Sequence, residues 1–468
     1  MGRGMVTRGA PLNRRLSAIF PPALMLFIAC AMLLPYTDRV MYCDEANTLY
    51  QYAGSPVRAL FSYATPNNHL LHSLQVWAMT TLAGTSGVVV RFPAFAAALT
   101  ALALVYRTSA RLITGDALRR RNAGLLSMAF LLTAFGFADY AINARGYTLS
   151  IALTLALIDL VFTTPPGRFY RRRHQYSLIL VSAALLLTLP SMILASGAVG
   201  LWALLQQRRD RRWRRIAAAL IVGGLIGALP YLPSLLAGLV SAHLGMFGEF
   251  DLLYLLEGWM GMVFSTGSAP VLGALFAAAA LYGGVLSARS SKPTALPAAG
   301  LLLGIAGAAV LGQFALTGHA LFARNYLYLI APLALLAGAG GARLLRGFSP
   351  AAVLLLTAAG AFSLPALDGV YMEKAILGQI DQHVRDSDWL IVGPCLNAPT
   401  LHHLTQTGRA DLLFERPGVS RVIVVTREGR IQDNLAYFDA ADRVRACQPF
   451  SDIAWASVNA FVCQPAAS

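Results

Sequence analysis

The sequence predicts a polytopic α-helical membrane protein with about eleven spans and a small C-terminal α/β domain outside the membrane. Three observations carry this expectation. The 468 residues are 57% hydrophobic and only 13% charged, with a mean hydropathy of +0.59, whereas soluble domains carry roughly 25% charged residues. Apolar runs near the spanning length, about 20 residues for a helix, recur through the first 367 positions. Lys and Arg fall unequally on alternate connections between those runs.

Residues 1–15 are basic and lead into an apolar stretch over 17–34, followed by Pro35-Tyr36-Thr37. A cleaved signal peptide needs a small-residue cleavage site there, so the stretch reads as an uncleaved first span. The expected spans are 17–36, 90–110, 122–138, 147–164, 176–190, 191–206, 215–237, 269–287, 295–316, 325–343 and 350–367. With the N-terminus in the cytoplasm, 23 of the 37 Lys and Arg lie on connections of the inner side and 5 on the outer side, with 9 beyond Asp368. Cytoplasmic loops collect Lys and Arg, so the net charge of +15 reports topology and excludes a nucleic-acid partner. The arginines at 208–215 read as an anchor near anionic lipid.

Residues 1–367 thus form the membrane part, including a long outer loop over 37–89, and residues 368–468 form a soluble outer domain. Within that domain the apolar runs at 389–393 and 421–425 predict buried strands, with a helix over 398–407 between them. Cys395, Cys447 and Cys463 would share an oxidising compartment, which allows one disulfide without specifying its partners. No CxxC or Cys/His ligand spacing is present.

Acidic residues are scarce between the spans, which makes those on the outer side informative. Asp44-Glu45 lies in the first outer loop, and loops of about 50 residues in a compact protein tend to be functional. Residues 67–78 carry apolar side chains at helical spacing, predicting an interfacial helix with His69 and His72 on its more polar side. The second outer connection contributes Asp139, Asn143, Arg145 and Tyr147, and the last short one contributes Arg324 beside Tyr326. A carboxylate can take a proton from a hydroxyl or amine, and an arginine can hold a phosphate bidentately and stabilise it as a leaving group. Simpler readings exist for each group: the acids could cap the interfacial helix, the arginines could snorkel to the interface, and the histidines, with no third ligand, suit structural roles better than metal binding.

The ordered set Asp44-Glu45, Asn67-Asn68-His69-Leu70, Arg91-Phe92-Pro93, Ala144-Arg145-Gly146-Tyr147 and Ala323-Arg324-Asn325-Tyr326 resembles the GT-C glycosyltransferases, in particular their protein O-mannosyltransferase and aminoarabinose-transferase-like members. The resemblance covers roughly the first 370 residues. It implies a GT-C-like enzyme of the bacterial inner membrane with a periplasmic active site. Such an enzyme moves a sugar from a polyprenyl-phosphate carrier to a glycan, lipid or protein acceptor, usually with inversion. It further implies Asp44 as catalytic base with Glu45 beside it, and His69, Arg145 and Arg324 at the donor phosphate. Asn68, Asp139, Asn143, Tyr147 and Tyr326 are the remaining substrate-site candidates. The chain departs from the pattern in two places: Asn143 stands where relatives often carry an acid, and Asn68-His69-Leu70-Leu71 stands where many show His-Pro-Pro-Leu or Lys-Pro-Pro-Leu. No cofactor motif is present, although a divalent cation is admissible beside the acids. The rival expectations are a lipid-carrier flippase or transporter and a non-catalytic membrane subunit. Transporters bury ionisable groups near mid-membrane, whereas here they gather at one boundary, Asp159 near the inner end of the fourth span excepted.

Overall fold

The structure is a computed structural model that describes residues 10–41, 43–63, 67–168, 171–206, 212–237, 252–264, 270–288, 322–345, 349–362, 372–393, 396–415, 419–426, 440–453 and 458–466, together with positions 303, 307, 311, 312, 315, 431, 435 and 436. Among the described residues sixteen α-helices precede the terminal part. They are α1 (Ala10–Leu33), α2 (Cys43–Asn47), α3 (Pro56–Phe61), α4 (Leu70–Ala83), α5 (Gly87–Leu112), α6 (Ala117–Thr133), α7 (Phe135–Ala141) and α8 (Tyr147–Phe162). Then follow α9 (Arg172–Thr188), α10 (Ile193–Gln206), α11 (Arg212–Ala228), α12 (Leu232–Leu236), α13 (Leu252–Phe264), α14 (Pro270–Ala288), α15 (Ile330–Leu344) and α16 (Pro350–Phe362).

Helices occupy ten of the eleven expected span positions; the ninth, 295–316, lies almost entirely outside the described residues. Among the described residues four segments are long and apolar enough to cross a membrane: Ile19–Tyr36, Gly87–Leu112, Arg212–Leu236 and Ala323–Leu344. The pair α6–α7 makes a fifth if counted as one span; it bends by 73° at Ala134, whose backbone is extended. Several others are apolar helices of 10–17 residues. The chain is a multi-pass membrane protein. Among the helices not expected from the sequence is α13, which forms inside 238–268, a stretch that the hydropathy pattern leaves as an outer connection. At 13 residues it is too short to cross, and it packs at the same end of the bundle as the outer loops, its Trp259 Nε1 donating to the Tyr326 carbonyl at 3.1 Å.

The packing has the character expected where hydrocarbon replaces water. Large apolar side chains such as Phe27, Leu180, Ile221, Val271 and Leu281 face outward, and hydroxyls bridge helices within. Ser127 Oγ donates to Ser109 Oγ at 3.0 Å, Thr148 Oγ1 to the Ala94 carbonyl at 2.9 Å, and Ser182 Oγ to the Leu220 carbonyl at 3.0 Å. Buried hydroxyls have no water to bind in this medium and take carbonyls on neighbouring helices. Helix α15 carries Gly338, Gly340 and Gly341, and a Cβ at 338 would overlap Ser127 of α6 while one at 340 would overlap the Ala279 carbonyl of α14. Small residues let three backbones meet at this point.

The terminal part comprises α17 (Met372–His383), α18 (Asn397–Gln406) and strands β1 (Asp388–Val392), β2 (Arg421–Thr426), β3 (Val444–Pro449) and β4 (Asn459–Pro465). They form one sheet in the order β1-β2-β4-β3, with β1 parallel to β2 and the other pairs antiparallel. Both faces of β1 and β2 are covered: Leu390, Val392, Ile423 and Val425 pack with Ile376 and Leu404, while Trp389, Ile391, Val422 and Val424 pack with Val444 and Cys463. Double-sided burial explains why these strands read as unbroken apolar runs. At their start the buried Asp388 takes Arg421 bidentately, at 2.8 and 2.9 Å. Strands β3 and β4 escape sequence reading because β3 leaves most of its side chains exposed and shows no clean alternation. Of the cysteines left open above, Cys447 pairs with Cys463 across these two strands, and Cys395 lies outside the described residues. Cys43 is also disulfide-bonded, which the sequence does not foretell.

The terminal part rests on the first outer loop. Cys43 N donates to Glu373 Oε1 at 3.4 Å, Tyr50 Oη lies 3.2 Å from His402 Nδ1, and Ala398 joins Met41, Ala46 and Leu49 in one apolar cluster. Replacing Gly340 by Val should overlap the Ala279 backbone and destabilise the bundle by at least the 1–3 kcal/mol typical of overpacking, on the order of a several-degree loss. Thermal unfolding in detergent, followed by size-exclusion chromatography, measures this.

Candidate active site

Three segments distant from one another in the chain converge on α2. Its first turn carries both acids, where negative side chains are favoured by the unpaired backbone N–H groups of a helix start. The two carboxylates face different surroundings. Glu45 is fully buried; its Oε1 accepts from Arg91 Nε and from Ala144 N, each at 2.8 Å, and its Oε2 accepts from Arg91 Nη2 at 2.8 Å. Burial pushes its carboxyl upward, but the Arg91 charge and hydrogen bonds, aided by Arg39 and Ala144 N, prevail and hold it below the ordinary carboxylate range. Arg91 in turn donates from Nη1 to the carbonyls of Thr37 at 2.8 Å and Arg39 at 2.6 Å, and from Nη2 to that of Val40 at 3.1 Å. One buried ion pair therefore ties α5, the start of the first outer loop, α2 and the second outer connection together.

Asp44 is partly open, with its side chain 23% exposed. Its Oδ2 lies 3.1 Å from Arg145 Nη1 and 3.6 Å from Arg324 Nη1, and its Oδ1 accepts from Asn67 Nδ2 at 2.9 Å. Arg145 also donates to Asn67 Oδ1, and its guanidinium lies 5.6 Å from the centre of the Tyr147 ring. Burial opposes the charge on Arg145, and Asp44 and Tyr147 outweigh it, so that its pKa rises above the ordinary value. Arg324, a third exposed, sits over Phe322 at 4.6 Å. The structure thus brings Asp44, Arg145 and Arg324 into one cluster, although their positions in the chain span 280 residues.

The other candidates support this cluster from behind. His69 Nδ1 accepts from Gly146 N at 3.0 Å, and its ring meets Tyr147 edge-on at 4.8 Å. Burial, with the charge of Arg145, drives its pKa well below the usual histidine value, leaving a neutral ring whose proton sits on Nε2. A Cβ at Gly146 would fall 2.8 Å from His69 Nδ1 and 2.9 Å from Thr188, so only glycine allows this approach. Asn68 fastens the loop, donating to the carbonyls of Ala59 and Ser62 and accepting from Ser73 Oγ at 2.7 Å. Asn143 accepts from Arg39 Nη2 at 2.5 Å, and the same guanidinium lies 3.5 Å from Asp139. Tyr147 and Tyr326 are both buried, Tyr147 also against Tyr140 at 4.4 Å.

Helix α4 forms where expected, but His69 and His72 do not occupy a solvent-facing polar side. Leu70, His72, Ser73 and Val76 are its buried face, and Leu82 is its exposed one. Beside lipid the polar side of a helix turns toward the protein, the reverse of the aqueous case. His72 is fully buried and pushed down to about 3 by burial and Arg145.

Sequence reasoning does not single out Arg91, Arg39 and Asn67 as site residues. Arg91 offers a signal: an arginine at the start of an otherwise apolar span requires a buried partner, and few outer acids are available to supply one.

Breaking the buried pair from one side, as in Glu45→Gln, should cost about 3–5 kcal/mol because Arg91 is left charged without a partner. Replacing both residues with apolar ones, Glu45→Leu with Arg91→Met, should cost less than that. The folded carboxyl is depressed, so its contribution is complete above the unfolded value of about 4.3 and is lost as pH falls through the lower folded value. Thermal melts between pH 3 and 7 should show this acid-side loss in the parent chain and not in Glu45→Gln.

No protein-family profile and no curated protein sequence matches the chain. Solved structures do. ArnT from Cupriavidus metallidurans bound to undecaprenyl phosphate superposes with a TM-score of 0.61 at 14% identity, over 95% of this chain and 97% of that one. Its apo state gives 0.59 at 14% identity, over 96% and 98%. The arabinofuranosyltransferase AftD from Mycobacteria gives 0.51 at 15% identity, over 96% of this chain and 40% of that one. The shared architecture extends through the terminal part, and the chain has a GT-C-like fold.

Proposed function

We propose that this protein is a membrane glycosyltransferase that takes a sugar from a polyprenyl-phosphate carrier and transfers it to a glycan, lipid or protein acceptor on the outer face. The observation that carries the reading is the half-open carboxylate of Asp44, held between Arg145 and Arg324. The similar ArnT structure holds undecaprenyl phosphate, the same chemical class of carrier.

In the proposed reaction the acceptor oxygen or nitrogen attacks the anomeric carbon as the bond from that carbon to the phosphate oxygen breaks. The acceptor proton passes to Asp44, and polyprenyl phosphate departs with the bonding pair. Direct displacement of this kind inverts the anomeric centre. Arg145 and Arg324 serve two anions in turn. Without donor they neutralise Asp44; an arriving phosphate competes for their N–H donors, is stabilised by them as a leaving group, and returns the carboxylate to the basicity a proton acceptor needs. Arg145 is the fixed member, buried against Tyr147, and Arg324 the more exposed one.

Glu45 receives a different role from the one expected of it. Both its oxygens are engaged by Arg91 and Ala144 N inside the protein, so it acts as a positioning residue that sets the angle of α2. His69 likewise acts on the phosphate site through Gly146 and Tyr147. Asn68 anchors the loop, and Asn143 and Asp139 hold Arg39. A divalent cation enters none of the proposed steps; among the described residues no group of three or more His, Cys, Asp or Glu side chains is placed to hold one.

In proteoliposomes supplied with a panel of undecaprenyl-phosphate sugars, Asp44→Asn should fold normally and lose transfer by about 10²–10⁴-fold, the range for a lost general base. Arg324→Gln should raise the KM for donor more than it lowers kcat. Full turnover by Asp44→Asn removes the proposed base. A cysteine in place of the exposed Asp38, in the same loop, should react with a membrane-impermeant maleimide from the periplasmic side; labelling from the cytoplasmic side alone reverses the topology.

A further inference from the structure

The end of the bundle remote from Asp44 carries a second concentration of charge. Helix α5 has Arg91 at one end, against Glu45, and Arg107 and Arg111 at the other, about 24–30 Å along a helix that rises 1.5 Å per residue. Helix α8 repeats the arrangement, with Tyr147 beside the active-site cluster and Asp159 at the far end. There the ends of α5, α6, α8 and α9 surround a pocket of about 790 Å³ whose wall includes Arg107, Arg111, Arg120, Arg168, Arg171 and Arg173.

Six arginines and one carboxylate, Asp159, line this wall. Asp159 is almost completely buried and is saturated from within: it pairs with Arg107, lies 3.3 Å from Arg111 Nη1, and its Oδ1 accepts from Thr108 Oγ1 at 3.3 Å and Thr163 Oγ1 at 3.1 Å. It therefore pins two arginines that stand one turn apart on the same face of α5 and would otherwise repel one another. Both pinned side chains stay 51% exposed, and a guanidinium has five N–H donors, so a single carboxylate leaves most of them in the pocket wall. A topology anchor needs only positive charge anywhere on an inner connection. Convergence on a concavity, with a buried acid fixing two of its members, is a further feature that this need does not explain.

We propose that this pocket is a binding site for a phosphate-ester anion carrying at least two negative charges. A headgroup with two phosphates matches it best, because five net positive charges exceed what one phosphodiester neutralises, and Leu160, Phe162 and Pro165 in the same wall offer apolar surface to the glycerol and upper acyl region of a lipid. Basic pockets between membrane helices take such headgroups. The chemistry is shared by a diphosphatidylglycerol headgroup and a soluble diphosphate. The site stands independently of the transferase reading.

Native mass spectrometry of the purified full chain, titrated with diphosphatidylglycerol, phosphatidylethanolamine or inorganic pyrophosphate, tests this. The parent chain should retain one tightly held diphosphatidylglycerol and no phosphatidylethanolamine. Arg168→Gln with Arg171→Gln should weaken retention at least tenfold; these arginines lie outside the Asp159 cluster, so the variant keeps the fold, checked by its elution and melt. Asp159→Asn should also weaken it, by freeing Arg107 and Arg111. Retention of pyrophosphate in place of the lipid, lost in the same variants, identifies a soluble anion as the occupant. Equal retention by the Arg168/Arg171 variant and the parent, or no preference for diphosphatidylglycerol or pyrophosphate over phosphatidylethanolamine, overturns the site.

Discussion

The architecture around Asp44 depends on one buried ion pair. Glu45 and Arg91 are both fully buried, and a charge in that position is tolerated only with a full complement of partners. That requirement is what organises the loop. To satisfy one guanidinium the chain brings up the carbonyls of Thr37, Arg39 and Val40 together with the Glu45 carboxylate, and to satisfy the carboxylate it adds the Ala144 amide. Residues 37–41 and 43–45 are thereby wrapped around the start of α5, and Asp44, the immediate neighbour of Glu45, is turned to the open side. The tandem acids divide the work: the enclosed one holds the frame, and the accessible one meets the arginines of two other segments.

A second layer of restraint comes from the terminal part. Its α17 and α18 touch α2 and the residues after it through Glu373, His402 and Ala398, and the disulfide at Cys43 adds a covalent tie one residue before Asp44. A five-residue helix cannot hold itself, since nucleation alone is unfavourable at that length. The membrane helices fix α2 from below through Arg91, and the terminal part covers it from the other side. Such support from two sides holds the Asp44 carboxylate in a fixed place.

The bundle is charged at both ends and apolar between them. At one end Asp44 and Glu45 have arginine partners from distant segments, whereas at the other Asp159 pairs with Arg107 and Arg111 beside a pocket lined by four further arginines. The same long helices, α5 and α8, carry a group at each end, so the two clusters are fixed relative to one another by helix length and not by contact.

Much of this is legible in the chain. Apolar runs coincide with ten helices, and the apolar strands β1 and β2 are evident because burial on both faces leaves an unbroken β-branched run. Asp44, Arg145 and Arg324 stand out from their shared side of the expected topology, and the structure joins them. What cannot be read is pairing. Nothing in one dimension distinguishes Glu45 from Asp44, assigns Arg91 to Glu45, or turns His72 inward, because each outcome depends on which surface a neighbouring helix covers. Helix α13 is hidden because an apolar stretch of 13 residues is ambiguous between loop and helix until Tyr326 and α7 give it a surface to lie on. Hydropathy and charge are properties of single residues summed along a window, so sequence by itself determined the membrane class, the charge asymmetry between alternate connections and the chemical inventory. Burial and hydrogen bonding are properties of residues far apart in the chain, and only the tertiary structure decided which carboxylate is enclosed as frame and which stays open beside the arginines.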